Sequence, residues 1–589
     1  MFPCPRFFFL ITTIVALSTL TATRTQAQTP SANAPPPIPS LHIWNVRDFG
    51  AAGTGNINDT SAITQAIQTA NHAAGGEVVF PPGTNLTGTF EMLSNVTLNL
   101  QAGAVLLGSG DVADYGDISA WGFDHNYGTS SSGEGEKVGM IVARDASNFA
   151  IVGQGVIDGH SGAFFDFSTP HISHDFDAKF TRNPDAFTAA MHMTESGPVE
   201  MKPSGRPGTM IIFSHCKNVI IRDVTLRNAP NWTLHLQSTE NAIVSGLRVD
   251  NDLRVPNNDG MDCMRCRAVH VSNCNIATGD DDFAFVDSDD VSVANCTLVS
   301  NSSGIRLEAT RNSTFSDLVI HSNRGIGVYE RAAGNTANVL FSNLVIESHL
   351  VSGHWWGKGE PILIASAGNA AGGGVHDVVF SNIAATGENG ILLYGTRPDA
   401  IRAIRFDRIK LTLQAPSRKL ADAVGGNFDL RWVARDLSEG VFKHGIAALY
   451  GHNFQDLRIK DFQVIWKDNL PEYFTSAIDL EDFQYAAIDG FSGRQAVPGS
   501  TSAAIVLRRG SEVSVRNSVA DAGTGDFLAA TAVRSPGMFI NNDLWQAKRA
   551  FRAKGYGFYV NGNRLPPVPA RARRQRRTIS PAGSTVKSH

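Results

Sequence analysis

The chain has 589 residues, of which 42% are hydrophobic, and its formal net charge is −5. A chain of this length can bury a large core, and it would divide into several domains unless it is built from stacked repeats. The slight excess of acidic residues argues against a nucleic-acid-binding protein, because such a protein normally carries a basic stripe.

The first 27 residues resemble an export signal. Arg6 precedes a nearly apolar run over residues 7–20, and Thr25-Gln26-Ala27 offers a small-residue cleavage site. The run is short for a transmembrane span, although a signal anchor is the alternative, and the rest of the sequence has no stretch suited to span a bilayer. We therefore expect a secreted or periplasmic monomer without stable membrane insertion.

Residues 28–42 are rich in Pro, Ser and Ala, which predicts a flexible leader. Next comes a predicted helix that Asp59 or Thr60 can cap. Its apolar positions recur at helical spacing: Ile63, Ala66, Ile67 and Ala70. One amphipathic helix ahead of a long run of strands suits a cap that shields the first edge of a strand stack.

From about Val96 onward, short apolar strands alternate with turns rich in Gly, Asn, Asp and Ser. Equivalent positions recur every 22 to 27 residues: Val219, Ala242, Val269, Val291, Thr314 and Val339. Such a period is typical of a solenoid, and the Leu and Asn ladder of leucine-rich repeats is missing. We predict an all-β, single-stranded, right-handed parallel β-helix over residues 43–562. Residues 563–589 are predicted to be a disordered basic tail, with contact to anionic polysaccharide or lipid as the alternative.

Cysteine usage does not favour disulfides, because an odd number remains after Cys4. Cys263 and Cys266 have zinc-knuckle spacing, but no second pair follows, so zinc is not predicted. Cysteines instead recur at equivalent places in the repeat, as small buried hydrophobic residues would.

Two insertions interrupt the period. The first comprises Asp111–Glu136 and Phe164–Arg206, and the second surrounds Trp355 and Trp356. Insertions in solenoids often form loops on the binding face, where an exposed indole can stack on a sugar ring. The alternative is that both tryptophans only pack the loop onto the coil.

Two clusters of carboxylates stand in an otherwise apolar context. One contains Asp259 and Asp262, and the other is the run Asp280-Asp281-Asp282. Asp259 and Asp280 are 21 residues apart, about one coil, and adjacent coils are about 4.8 Å apart, so both carboxylates are expected on one wall. Like charges raise each other's pKa, and hydrolysis of a glycosidic bond needs one protonated and one ionised carboxyl. Calcium binding and plain turn chemistry are the alternatives.

The geometry of this pair carries two further expectations. An inverting hydrolase places its two carboxyl groups roughly 6.5–9.5 Å apart. Strand alternation groups Asp280 with Asp282, so the chain must bend near Gly279 for Asp281 to reach the same cleft.

The segments Asn257-Asn258-Asp259-Gly260 and Gly279-Asp280-Asp281 resemble those of the polygalacturonases and rhamnogalacturonases of glycoside hydrolase family 28. The resemblance covers roughly residues 43 to 465 and includes upstream landmarks: Val46–Ala51, Ile151–Gly159, Arg206-Pro207 and Asn228–Trp232. It implies an inverting hydrolase of pectic polysaccharide without metal or organic cofactor. By this resemblance Asp280 is the general acid, and Asp259 and Asp281 hold and activate the water.

The sequence also departs from the family pattern. Where the family has Gly-His-Gly, this chain has Ser302–Arg306 without a histidine, and the family's Arg-x-Lys pair falls near Gly327 and Tyr329. Arg306, Arg324 or Arg331 can replace that grip on a sugar carboxylate, since arginine binds carboxylates bidentately. Alternatively the bound sugar carries no carboxylate. The substrate-binding candidates are Asn257, Asp262, Arg306, Arg324, Tyr329, Trp355 and Trp356.

Two other functions compete with a pectic hydrolase. A β-helix polysaccharide lyase or epimerase would use calcium and a basic residue. A non-catalytic carbohydrate-binding β-helix would explain the missing histidine.

Overall fold

The structure is a computed structural model that describes residues 42–121, 123, 137–171, 183–191, 197–330, 334–366, 373–417, 420–421, 425–426, 428, 444–535, 537–555 and 557–567. The predicted signal, most of the predicted leader and most of the predicted basic tail lie outside these residues. Within them, no helix is long and apolar enough to cross a bilayer.

The described chain is a parallel β-helix, as the repeat predicts. Three parallel sheets run along it, and each coil contributes one strand to each sheet. The strands of the first sheet are Phe90–Glu91, Ile141–Arg144, Ile211–Ser214, Leu234–Gln237, Met261–Met264, Phe283–Val286, Ile362–Ser366, Ile391–Tyr394, Ala503–Arg508, Asp526–Val533 and Arg549–Gly555.

The second sheet follows the first along each coil. Its strands are Ile43–Asn45, Gly76–Phe80, Val96–Leu100, Ser147–Gly153, Lys217–Arg222, Glu240–Ser245, Arg267–Ser272, Asp289–Ala294, Ser511–Arg516, Gly537–Ile540 and Phe558–Asn561. The strands of the third sheet are Thr54–Asn58, Gly83–Thr87, Ala104–Gly108, Val156–Asp158, Thr225–Arg227, Arg248–Asp250, Asn275–Thr278, Ser492–Gly493 and Val519–Ala520.

Several longer strands bend from one sheet into the next: Thr297–Glu308, Arg311–Glu330, Asn335–Ser348, Gly374–Gly387, Ile401–Leu413, Leu449–Trp466 and Ile478–Asp489. A separate antiparallel pair is formed by Phe165–Pro170 and Val199–Met201. The α-helices are Thr60–His72 and Pro184–Met191, and the 3₁₀ turns are Val46–Phe49, Val112–Asp114, Ile118–Ala120 and Ser161–Ala163.

The helix Thr60–His72 caps the strand stack, as predicted. Its four predicted apolar residues are buried and belong to the continuous core. Asp59 precedes the helix, but its carboxylate does not cap it. It accepts the backbone N–H groups of Ala52 and Gly53, at 2.7 and 3.0 Å, and so holds the preceding loop instead.

The turn between the second and third sheets is made by residues that tolerate the left-handed conformation. Asparagine or aspartate holds a positive φ at this turn in many coils: Asp223, Asn273, Asn295, Asp317, Asn343 and Asn382. Their side chains also bond from coil to coil, as in the 2.6 Å bond from Asn295 Nδ2 to Asn273 Oδ1. Turn chemistry and stacking therefore favour the same register.

One predicted equivalence is wrong by a residue. Val219, Ala242, Val269 and Val291 are successive partners, but Thr314 pairs with Ser292, and Ser313 is the partner of Val339. Ser313 can occupy an inward position because its hydroxyl donates to the carbonyl of Arg311 at 2.7 Å. A buried hydrogen-bonded serine is invisible to a search for apolar residues.

The interior is apolar along its length. Phe315, Phe341, Phe380 and Phe406 stack in adjacent coils with ring centroids 4.9 to 5.1 Å apart. The five described cysteines are free and buried, as expected for small hydrophobic residues. The chain's insertions leave this core at the corner between the third and first sheets, which is where both acidic clusters lie.

Candidate active site

The predicted carboxylates converge at the corner between the third and first sheets. Asp259 precedes the strand Met261–Met264, while Asp280 and Asp281 precede Phe283–Val286 in the next coil. One carboxylate oxygen from each of the three lies within 4.8 Å of the others. This is the closest approach of single oxygen atoms, and the 6.5–9.5 Å expected between the two carboxyl groups of an inverting pair stays a prediction.

Asn258 joins the two acidic segments, and the sequence interpretation gave it no role. Its side-chain oxygen accepts the backbone N–H groups of Gly279 and Asp280, at 2.7 and 3.3 Å. Its amide nitrogen donates to the carbonyl of Asp252 at 2.8 Å. Asn258 is fully buried, and a buried amide in a turn ties neighbouring backbone together through such bonds.

The bend predicted near Gly279 is present, but close approach rather than φ requires glycine there. A Cβ on Gly279 would lie 2.6 Å from the carbonyl oxygen of Val255. Beyond the bend Asp280 and Asp281 share the cleft, whereas Asp282 turns away and accepts a 2.9 Å bond from the Thr278 hydroxyl. The bend thus overrides the alternation that would group Asp280 with Asp282, because the corner is not extended strand.

The three carboxylates differ in their electrostatic surroundings. Burial and the negative charge of Asp281 raise the pKa of Asp280 to about 7. Burial, reinforced by Asp280, Asp262 and Asp281, raises the pKa of Asp259 well above its ordinary value. Burial also raises the pKa of Asp281, but Arg306 and a hydrogen bond from Ser303 oppose that rise. Asp281 is thus the carboxyl whose ionised form has the most direct support.

Arg306 is the cation of this cleft. It lies 3.6 Å from Asp281 and bonds Glu308 through Nε and Nη2, at 3.0 and 2.7 Å. Asp262, also fully buried, contributes to its electrostatic environment. The nearby charges of Glu308 and Asp281 keep the pKa of Arg306 above its ordinary value despite burial. We call Asp259, Asp262, Asp280, Asp281 and Arg306 the acidic cleft.

Arg324 and Tyr329 line a small cavity beside Asp281 and Arg306, and their polar groups bond to protein partners. The Arg324 guanidinium is buried and donates to Glu360 at 2.6 Å and to the Tyr329 hydroxyl. Tyr329 is itself buried among apolar residues on the outer face of the first sheet. Glu360 already pairs with Arg324, so a sugar carboxylate would share the guanidinium with Glu360, and the grip of Arg324 stays a prediction. Arg331, the third candidate, lies outside the described residues.

The two tryptophans occupy different environments. Trp355 is only 3% exposed, so its ring packs the loop and is not a sugar platform. The stacking role predicted for Trp355 is therefore corrected. Trp356 is partly exposed and lines a small cavity together with Asp281 and Arg306. Its backbone N–H donates to the Ser302 hydroxyl at 3.2 Å.

Two more residues complete the surroundings of the acidic cleft. Asn257 has a positive φ of 56° and accepts a 3.2 Å bond from Arg206, so it shapes the turn before Asp259. His235, absent from the sequence-based candidates, is the strand partner of Asp262. Burial lowers the pKa of His235 to about 3, so its imidazole is neutral. Aligning the repeats by register, rather than searching for the family's histidine motif, would have found it.

Comparison with known proteins shows which family the chain resembles. Residues 122–389 match the sequence model described as Glycosyl hydrolases family 28. The resemblance to family 28 is confirmed. An exo-poly-alpha-D-galacturonosidase of Dickeya chrysanthemi is 25% identical over 357 residues, 58% of this chain and 55% of that protein. A probable polygalacturonase of Vitis vinifera is 26% identical over 245 residues, 41% of this chain and 43% of that protein.

The family 28 match includes both acidic segments. The chain spans about half the length of these curated relatives. Among solved structures, the family 28 exopolygalacturonase of Yersinia enterocolitica is similar with a TM-score of 0.53 at 18% identity, covering 75% of this chain and 78% of that one. This likeness supports the β-helix fold.

Proposed function

We propose that the protein is an exported glycoside hydrolase that cleaves pectic polysaccharide of the galacturonan or rhamnogalacturonan type. The observation that carries the proposal is the meeting of Asp259, Asp280 and Asp281 within 4.8 Å at one corner of the β-helix. The family 28 match and the galacturonan-cleaving relatives give the substrate class. Export rests on the pattern of residues 1–27, which are outside the described part of the chain.

In this proposal the carboxyls have different tasks. Asp280, whose pKa is about 7, is protonated at mildly acidic pH and gives its proton to the leaving glycosidic oxygen. Asp281 stays ionised beside Arg306 and takes a proton from the attacking water, which Asp259 helps to hold. Because the three lie so close, their protons come off as one coupled system. The uneven surroundings decide which carboxyl keeps its charge.

The stereochemical outcome is a separate part of the proposal. Retaining enzymes have carboxyl groups about 5–5.5 Å apart and inverting enzymes about 6.5–9.5 Å. The 4.8 Å limit applies to the nearest oxygens and does not measure the separation of the carboxyl groups, so inversion is proposed from the family resemblance. Proton NMR of the first product formed decides the point: inversion gives the opposite anomer to the substrate linkage, and retention gives the same one.

The arginines near the acidic cleft bear on whether the bound sugar carries a carboxylate. Arg306 is engaged by Glu308 and Asp281, and Arg324 by Glu360, so neither offers an uncompensated guanidinium. This supports a sugar without a carboxylate at the position where Arg306 would act. Product analysis across galacturonan and rhamnogalacturonan oligosaccharides tests the proposal. Release of reducing ends from neither class would overturn it.

A calcium-dependent lyase or epimerase is the second candidate, because three carboxylate oxygens within 4.8 Å can hold a divalent cation. It predicts unsaturated products, or inverted uronate stereochemistry, that disappear on chelation. A hydrolase predicts new reducing ends that survive EDTA.

A further inference from the structure

A second cavity lies on the C-terminal coils, at the same corner of the β-helix as the acidic cleft. It encloses about 480 Å³ and is lined on the first sheet by Asp479, Val506 and Ala529. It adjoins a further cavity of about 600 Å³, with which it shares Thr501 and Arg552. The two together form one open groove across several coils.

The groove is cationic on a protein that is acidic overall. Five arginines and lysines line it against two acidic residues, an excess of three positive charges: Arg508, Lys548, Arg549, Arg552 and Lys554 against Asp479 and Asp526. We call these residues the basic groove. Six hydroxyl side chains stand among them: Thr475, Ser476, Ser500, Thr501, Ser502 and Thr531. Cations with many hydroxyls suit a ligand that is both anionic and rich in hydroxyl groups.

The charges of the basic groove divide into two sets. Arg508 pairs with Asp479 at 2.8 Å, and Arg549 and Arg552 both pair with Asp526, at 2.6 and 3.1 Å. Within the part of the chain that the structure describes, the exposed Lys548 and Lys554 form no ion pair. The paired residues form a fixed floor, and the two lysines supply the uncompensated positive charge.

The basic groove is separate from the acidic cleft. Arg306 and Asp479 stand in the same outward row of the first sheet, five coil steps apart. At about 4.8 Å per coil this is about 24 Å. Between them the sheet face is covered by a buried apolar cluster that includes Leu363, Leu392 and Phe428. A ligand in the basic groove therefore does not occupy the acidic cleft.

We propose that the basic groove is a second saccharide-binding site that holds a uronate-containing segment of an anionic polysaccharide. The identity of the ligand rests on the proposed function, because a pectic chain supplies carboxylates and hydroxyls along its length. Its place on the face that also carries the acidic cleft fits one long chain that engages both. A chain held at two places binds more tightly than at either place alone.

The test measures binding of saturated trigalacturonate to the full chain by titration calorimetry, in an Asp280→Asn background that prevents turnover. We expect two sites. Lys548→Glu combined with Lys554→Glu weakens one site by at least about tenfold, which corresponds to about 1.4 kcal/mol, and leaves the other unchanged. Arg552→Ala, at another exposed position, weakens the same site. With Asp280 restored, the double lysine variant raises KM for long pectic chains and leaves turnover of short oligosaccharides unchanged.

The matched control is Lys410→Glu combined with Lys460→Glu, which makes the same charge change at exposed positions outside the groove. We expect this control to bind trigalacturonate at both sites as tightly as the parent does. Binding of trigalacturonate that the groove variants leave fully intact, at one site or at two, overturns the proposal. So does equal groove binding of neutral galactotriose or of a short oligonucleotide. If the unaltered protein cleaves no pectic substrate but groove binding persists, only the proposed function falls.

Discussion

The acidic cleft and the basic groove share one corner of the β-helix and differ in how their charges are balanced. In the acidic cleft four aspartates crowd around Arg306, and all of them are almost fully buried. In the basic groove, basic residues outnumber acidic ones, and Arg549, Arg552 and the two lysines are exposed. Coil stacking places the side chains in both regions. The fold therefore does not explain why the two regions differ in charge and in exposure.

Burial decides what each set of charges can do. Charges held out of water shift each other's pKa strongly, which prepares a proton donor beside a proton acceptor. Charges open to solvent attract an oppositely charged chain. The comparison therefore supports the proposed chemistry in the acidic cleft and the proposed binding of substrate in the basic groove.

Replacing Asp280 by asparagine sharpens this comparison most. We expect turnover to fall by about 10²–10⁴-fold, since asparagine cannot donate the proton. The fold should survive, because the change is isosteric and removes a buried negative charge. The measurement is the release of reducing ends from a pectic substrate, with a thermal melt as the check on folding.

Asp282→Asn is the control for that experiment. Asp282 is equally buried and lies two residues away, but its carboxyl turns from the cleft to Thr278. Burial raises its pKa well above the ordinary value, and asparagine removes the cost of burying a charge there, so the variant should preserve both turnover and stability. Equal losses from both variants would remove the distinction between the cleft and its surroundings.

Breaking an ion pair should lower the unfolding free energy more in the acidic cleft than in the basic groove. Arg306→Met leaves Asp281 and Glu308 buried without their cation, and we expect a loss of about 3–5 kcal/mol in unfolding free energy. Arg549→Met removes an exposed guanidinium while Arg552 still faces Asp526, so about 0–1 kcal/mol is expected. Urea denaturation of both variants measures the difference. Similar costs would mean that burial does not separate the two regions.

The pH dependence of the acidic cleft follows from the raised pKa of Asp280. Its carboxyl has a pKa of about 7 in the folded protein against an ordinary value of 3.8. The folded state thus binds the proton more tightly, and this contribution to stability is full below pH 3.8 and is lost as pH rises to about 7. The unfolding free energy of the unaltered protein should fall relative to Asp280→Asn over this window.

Turnover supplies the second readout of the same group. The kcat/KM should decline as pH rises through about 7, because the general acid loses its proton. A stability difference that stays flat from pH 4 to 7 would contradict the raised pKa.

Part of the acidic cleft can be predicted from the sequence, because it depends only on the repeat period of the coils. The 21-residue spacing of Asp259 and Asp280 matches one coil, and one coil is enough to bring them together. The apolar face of the capping helix follows from helical spacing in the same way. Both depend on regular geometry with a fixed number of residues per turn.

Other features depend on irregular corners, where period gives no guidance. The neighbours Asp280 and Asp281 share one cleft because the chain bends there, and alternation of side chains no longer holds. The pairing of Arg324 with Glu360 joins residues 36 positions apart across an insertion whose path no repeat dictates. Asn258 contributes through bonds to backbone groups, and the apolar pattern of a sequence does not display such bonds.

The smallest expected effect tests the wall of the acidic cleft. Trp356 is partly exposed beside Asp281, so Trp356→Ala should cost about 1 kcal/mol of substrate contact, a KM increase of about fivefold with kcat unchanged. Trp355 is buried one residue earlier, and Trp355→Ala should instead lower the unfolding free energy by about 3–5 kcal/mol. Steady-state kinetics and urea denaturation on both variants separate the roles. If Trp356→Ala left KM unchanged, the indole would be only part of the loop's packing, and its proposed contact with a sugar would be wrong.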